Sequence, residues 1–150
     1  MNIGFIGVGH MGYGIAKNLL KNNHNLFVIA NKKRKPIDKI VSEGATESKT
    51  YEDLCNSNLD VMFLCVTNTP IAKLISEKIS NFLPKTILII DITTHNQNGS
   101  KDMDKIFAKK NIFVCYLSSM AIYNKKSLYG NLRLLAEKNI LNIAKKIIKF

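Results

Sequence analysis

Ile3-Gly4-Phe5-Ile6-Gly7-Val8-Gly9-His10-Met11-Gly12 decides how the rest of the chain is read. A short apolar run leads into three glycines spaced G-x-G-x-x-G. Behind them, Ile15-Ala16-Lys17-Asn18-Leu19-Leu20 has Ile15 and Leu19 one helical turn apart. The order is strand, glycine turn, helix. Each glycine then has a physical role, in which Gly7 makes the tight turn, Gly9 lets the backbone approach a pyrophosphate, and Gly12 lets the helix pack closely on its strand. The phosphates of a dinucleotide would sit on free backbone N–H groups at the positive end of that helix.

Outward from this turn, His24-Asn25-Leu26-Phe27-Val28-Ile29-Ala30 reads as a second strand, apolar almost throughout like a parallel strand covered on both faces. At its end stands Asn31-Lys32-Lys33-Arg34-Lys35, and no acid occurs before Asp38. An NAD site would carry Asp or Glu here for the ribose 2′-hydroxyl, whereas a row of cations favours the 2′-phosphate of NADP. The other reading of the same residues is a solvated, lysine-rich surface turn.

The remaining chain alternates. Ile37 to Glu43 suits a short helix closed by Gly44, Ala45-Thr46-Glu47 a brief strand, and Tyr51 to Asn56 another helix. Leu59 to Val66 is a buried strand that Thr67-Asn68-Thr69-Pro70 stops. Ile71, Leu74, Ile75, Ile79 and Phe82 recur at helical spacing as core residues. Thr86 to Asp91 is a strand whose end, Asp91-Ile92-Thr93-Thr94, offers hydroxyls that either cap a helix or meet a ligand. Met103, Ile106 and Phe107 mark a helix ending at Asn111, and Ile112 to Tyr116 a further strand. Residues 117–129 form a loop, Leu132 to Leu135 one more strand, and Ile140 to Ile148 a final helix. This predicts one α/β domain over residues 1–150, a Rossmann-like, doubly wound, mostly parallel sheet.

Bulk properties limit the function classes. The chain is 46% hydrophobic and 22% charged, ordinary for a globular domain. Its net charge of +11 comes from 20 Lys against 2 Arg, scattered along the chain, whereas nucleic-acid readers lean on Arg and on clustered basic or aromatic patches. No nucleic-acid partner is therefore expected. Cys55, Cys65 and Cys115 are odd in number and lie in apolar or helical surroundings, which suits buried small hydrophobes in a reducing compartment. No apolar run reaches membrane-spanning length and no secretory signal is recognisable, so a cytoplasmic protein without a membrane partner is expected. No metal site is read.

Taken together, Met1 to Leu20 with the glycine turn, Asn31-Lys32-Lys33, Leu64-Cys65-Val66-Thr67-Asn68 and Ile90-Asp91-Ile92-Thr93-Thr94 resemble the β-hydroxyacid dehydrogenase family. That family includes 3-hydroxyisobutyrate dehydrogenase and 2-hydroxy-3-oxopropionate reductase, with 6-phosphogluconate dehydrogenase as a relative. The resemblance implies NAD(P)-linked interconversion of a short β-hydroxy acid and its semialdehyde. By it, Gly7, Gly9, His10, Met11 and Gly12 would hold the pyrophosphate. Asn31, Lys32 and Lys33 would face the adenosine phosphate. Val66, Thr67 and Thr94 would complete the cofactor contacts, the two threonines on the nicotinamide side. NADP is the implied cofactor, with NAD the other possibility.

The same resemblance exposes departures. The family's Asn-Arg-Thr turn is Asn31-Lys32-Lys33 here, which keeps charge but loses a planar, stacking guanidinium. Its substrate loop, Asp-Ala-Pro-Val-Ser-Gly-Gly, aligns with residues 115–121, where Ser119 is retained as a substrate-binding candidate and Met120 and Ala121 replace the paired glycines. The family's C-terminal helical domain, which supplies the catalytic lysine and most of the dimer interface, is absent from these 150 residues, so no catalytic residue is assigned. Two functions follow. One is the cofactor half of a dehydrogenase, inactive by itself and completed by a separate helical domain or a homo-oligomer. The other is a non-catalytic nucleotide-binding module or truncated, degenerate remnant of such an enzyme.

Overall fold

The computed structural model describes residues 1–31, 34–95 and 97–117. Strands and helices alternate: β1 Asn2–Ile6, α1 His10–Lys21, β2 Asn25–Ile29, α2 Lys35–Ser42, β3 Thr46–Ser48, α3 Tyr51–Cys55, β4 Val61–Leu64, α4 Thr69–Ile79, β5 Leu88–Asp91, α5 Gln97–Ala108 and β6 Phe113–Tyr116. The six strands form one sheet in the order β3-β2-β1-β4-β5-β6, and all five pairings are parallel. The direction of winding reverses between β1 and β4, where β1 pairs Ile3 with Val61 and Ile6 with Leu64. This is the Rossmann-like α/β fold that the alternation predicts.

Side-chain alternation along each strand sorts the core into two layers. Ile3 and Phe5, Leu26 and Val28, and Val61 pack with Ala16, Ile37 and Ile40 of α1 and α2. Ile6, Ile29, Met62, Leu64 and Ile89 pack instead with Leu54, Ile75, Ile79, Met103 and Phe107 of α3, α4 and α5. The strands are apolar on both faces because helices cover both faces. Within one layer, Phe5 and Phe63 stack at 5.6 Å between centroids.

Helix starts follow local chemistry. Thr50 and Asp53 form a capping box at α3: Asp53 N–H donates to Thr50 Oγ1 and Thr50 N–H to Asp53 Oδ2, both at 3.0 Å. At α4 the Asn68 side chain accepts from Ile71 N–H at 3.1 Å, with Pro70 in the first turn. The helix α1 differs: its N-cap is Gly9, no side chain caps it, and its first turn carries no acid.

Two core expectations are corrected. Leu74 is 54% exposed and Phe82 40% exposed, although both fit the apolar spacing of the α4 segment. The buried face of α4 is Ala72, Ile75, Ser76 and Ile79, whose small members allow close packing, and Leu74 stands on the opposite side. Phe82 lies beyond the helix end. Asn111, with φ 56°, follows α5 as expected. The strand expected over 132–135 and the helix over 140–148 lie outside the described residues.

Gly14 sits inside α1, exposed, with nothing within 4 Å of where a Cβ would stand. Glycine in a helix interior costs about 0.5–1 kcal/mol relative to alanine. Gly14→Ala should therefore stabilise the protein by about that amount, read as a thermal midpoint raised by a few degrees. A lowered midpoint would mean that the open space at Gly14 is wrongly placed.

Candidate functional site

The carboxyl ends of β1 and β4 meet beside the start of α1. Gly7 ends β1 with φ +102°, and Gly9 N–H donates to Gly7 O at 2.8 Å. A Cβ on Gly7 would lie 1.9 Å from Cys65 O, at the end of β4. One on Gly12 would lie 2.1 Å from Gly7 O. These two glycines are fixed by backbone against backbone. Gly9 is different: nothing stands within 4 Å of its absent Cβ, so packing does not explain it. His10 and Met11 are exposed at the same helix start.

The next loop begins at once. Cys65 N–H donates to Ile6 O at 2.9 Å and Ile92 N–H to Leu64 O at 2.8 Å, which tie the ends of β1, β4 and β5 together. Val66 is half-buried, Thr67 and Asn68 are exposed, and Thr94 is exposed at the end of β5. The glycine turn, Val66, Thr67 and Thr94 thus lie on the carboxyl ends of three adjacent strands, where open α/β sheets bind ligands.

Beneath this surface is a buried polar chain that sequence reasoning misses. The Asp91 side chain is fully buried and accepts from Thr93 N–H at 2.8 Å and from His95 Nε2 at 2.7 Å. Thr93 Oγ1 in turn accepts from Val66 N–H at 3.1 Å, and His95 Nδ1 meets Thr69 Oγ1 at 3.1 Å. An ionised carboxylate only accepts, so Nε2 carries a proton toward Asp91, and Nδ1 is left to share a hydrogen bond with the Thr69 hydroxyl, which can donate or accept. The signal that could have found it is Asp-x-Thr-x-His, a strand-ending acid with polar partners two and four residues on.

The row of cations after β2 is partly neutralised by acids that the linear sequence does not place beside it. Arg34 pairs with Glu47 at 2.5 Å, across from α2 on β3, and with Asp38 at 2.7 Å. Its hydrogen bonds hold the Glu47 carboxyl below the ordinary carboxylate range. Arg34 is thereby withdrawn from the cationic row. Asn31 is exposed beyond β2, while Lys32 and Lys33 lie outside the described residues, as does Ser119.

Cys55, Cys65 and Cys115 are buried, and Cys55 and Cys65 are in no disulfide. Burial pushes the Cys55 thiol up to about 12, and burial followed by the Asp91 charge raises Cys65, so neither is a ready nucleophile. Among the described residues no helix is long and apolar enough to cross a membrane, and no group of three or more His, Cys, Asp or Glu could hold a metal ion.

Residues 2–116 match the NAD binding domain of 6-phosphogluconate dehydrogenase. The chain belongs to that family. Among curated relatives, the cytokine-like nuclear factor N-PAC of Homo sapiens is 39% identical over 71 residues, covering 47% of this chain and 12% of the relative. The mitochondrial 3-hydroxyisobutyrate dehydrogenase of Drosophila melanogaster is 28% identical over 109 residues, 73% of this chain and 33% of the relative. The chain therefore matches only a minor part of each. Among solved structures, 3-hydroxyisobutyrate dehydrogenase of Mycobacterium tuberculosis with L-serine superposes with a TM-score of 0.72 at 14% identity, covering 77% of this chain and 39% of that one. Prephenate dehydrogenase from A. aeolicus, in complex with hydroxyphenyl propionate and NAD+, gives 0.68 at 19% identity, with 81% and 42% covered. Both share the fold of this NAD-binding domain.

The glycines separate packing from binding. Gly12→Ala should clash with the Gly7 carbonyl and destabilise by about 1–3 kcal/mol or prevent folding. Gly9→Ala should unfold at nearly the same temperature as the parent protein yet bind dinucleotide at least about tenfold more weakly, since its methyl would occupy the space of the pyrophosphate. Equal dinucleotide affinity of the parent and Gly9→Ala would remove the pyrophosphate from this turn.

The Arg34 pair supplies a pH test. Glu47 is held below its unfolded value, so its stabilisation is present above the ordinary Glu pKa of about 4.3 and is lost as the pH falls through the folded value. The urea midpoint of Glu47→Gln should lie below that of the parent at pH 7, and the gap should narrow as the pH falls below the ordinary Glu pKa of about 4.3. A gap independent of pH would assign the effect to packing.

Proposed function

We propose that this domain binds NADP(H) and serves an oxidoreductase that interconverts a short β-hydroxy acid and its semialdehyde. The observation that carries the reading is the start of α1: an uncapped, acid-free helix N-terminus beside a glycine whose Cβ position is open. Backbone N–H groups at such a terminus attract phosphate, and the N-cap residue makes no side-chain hydrogen bond that competes for them.

The residues fit the cofactor. Gly7, Gly9, His10, Met11 and Gly12 would hold its pyrophosphate, and Asn31, Lys32 and Lys33 its adenosine end. Val66 would contact the cofactor as well, and Thr67 and Thr94 would line the nicotinamide side. With Arg34 engaged by Glu47 and Asp38, discrimination for the 2′-phosphate falls to the two lysines. When bound, the cofactor supplies or accepts the hydride at the hydroxyl carbon. The accompanying proton requires a positioned acid or base, typically worth about 10²–10⁴-fold. The family resemblance assigns that role to a lysine of a helical domain, and to none of residues 1–150. Ser119 is the residue proposed to meet the substrate, residues 1–150 are proposed to form one cofactor domain, and the proposed location is the cytoplasm.

A second reading, a non-catalytic nucleotide-binding module, is favoured by one observation. The 39% identical relative is named as a nuclear factor rather than as a dehydrogenase.

Titration of the purified chain with NADPH and NADH tests the proposal. Saturable binding should favour NADPH by about tenfold, the equivalent of one charge-assisted contact of about 1.4 kcal/mol. Changing Lys32 and Lys33 to Ala should bring the two affinities together. A folded chain that binds neither dinucleotide overturns the proposal. Hydroxy-acid oxidation by the chain alone would overturn the assignment of the proton-transfer group to a helical domain.

A further inference from the structure

We infer that His95 and Thr69 are positioning residues that fix the β4–α4 loop against the nicotinamide end of the cofactor, with the Asp91 carboxylate as their common anchor. The inference rests on the dinucleotide reading of the crevice.

Both oxygens of Asp91 are used, and each leads to one end of the same loop. Through Oδ1 the path runs to Thr93 N–H, and Thr93 Oγ1 holds Val66 N–H. Through Oδ2 it runs to His95 Nε2, and His95 Nδ1 holds the Thr69 hydroxyl. Val66 and Thr69 bracket Thr67 and Asn68. The two residues between are thus pinned at both sides by one buried carboxylate. Asn68 is further restrained as the cap of α4.

The imidazole cannot easily turn away. Its side chain is only 3% exposed, and Tyr116 stands edge-on to the ring with centroids 6.1 Å apart and planes at 88°. Tyr116 is itself held, its hydroxyl donating to Asp104 Oδ1 at 2.9 Å and lying 3.2 Å from Ser100 O. Burying a carboxylate and an imidazole is costly unless every partner is in place, and apolar side chains would fill such space at less cost. What the polar chain adds is a fixed direction for each donor and acceptor.

The pinned loop is also the wall of the glycine turn. Cys65, immediately before Val66, places its carbonyl where a Cβ of Gly7 would be, and Cys65 N–H bonds to Ile6 O. Movement of residues 66–69 therefore changes the space on the β4 side of the crevice, where Thr67 lies. The adenosine side lies beyond β2, with β1 between it and the strands that carry these bonds.

That asymmetry gives the test. Thr69→Val removes only the hydroxyl, and Thr69→Ser keeps it. Each variant is titrated with NADPH and with 2′-phospho-ADP-ribose, which has the same adenosine and pyrophosphate but no nicotinamide. Thr69→Val should bind NADPH about 3- to 10-fold more weakly, the range of one lost hydrogen bond, with unchanged affinity for 2′-phospho-ADP-ribose. Thr69→Ser should return NADPH binding to within about twofold of the parent. If Thr69→Val does not fold, Thr69→Ala is put through the same comparison. Undiminished NADPH binding by the hydroxyl-free variant overturns the inference, and so does an equal loss for both ligands, which would make the chain a general brace. A parent protein that binds neither ligand overturns the dinucleotide reading itself and is recognised before any variant is made.

Discussion

The close backbone approaches at Gly7 and Gly12 are the ones on which the rest depends. At the end of β1 the chain turns through Gly7 so near to the Cys65 carbonyl that no side chain fits, and α1 leaves so near to the Gly7 carbonyl that Gly12 must also lack one. This double contact sets the position of α1 relative to β1 and β4 together. The sheet's reversal of winding falls at that same place, so the crevice is a product of packing rather than an addition to it. Of the three glycines of this turn, Gly9 is the one that packing does not require, and it is where a ligand has room.

The polar interior is organised around the same edge. A fold of this kind needs apolar strands covered by helices, and β1, β2 and β4 supply them. At the end of β5 a fully buried carboxylate appears instead, with a histidine beside it. Neither side chain contributes to the sheet ladder. The carboxylate holds Thr93 and His95, and these two reach across to the β4–α4 loop, so polar groups are concentrated where direction matters and apolar groups where only volume does.

Much of the fold is legible in the sequence because its signals are local. The glycine spacing, the apolar strands and the punctuation by Asn68, Pro70 and Asn111 each depend on neighbours a few residues away. The failures depend on distant neighbours. Leu74 has the right spacing for the core but the wrong side of α4, because Ala72 and Ser76 meet the neighbouring layer. Arg34 reads as part of a cationic row until β3 brings Glu47 beside it. Among the hydroxyls near β4 and β5, Thr67 and Thr94 stand out in the sequence, whereas Thr93 and Thr69 are the ones held by hydrogen bonds. Their partners come from another strand or loop, which periodicity does not reveal.

The contact between Gly7 and Cys65 also bears on how the molecule assembles. β1 can pair with β2 across a short crossover that contains only α1, but the Cys65 carbonyl arrives with β4, after α2, β3 and α3 have been threaded. Closing such a long loop is entropically costly and comes late. Until it closes, the glycine turn has no wall and the loop of residues 66–69 has no anchor. Partly folded chains therefore lack the crevice altogether. A ligand that occupies it binds only the completed sheet, and its binding free energy is added in full to the stability of the whole domain.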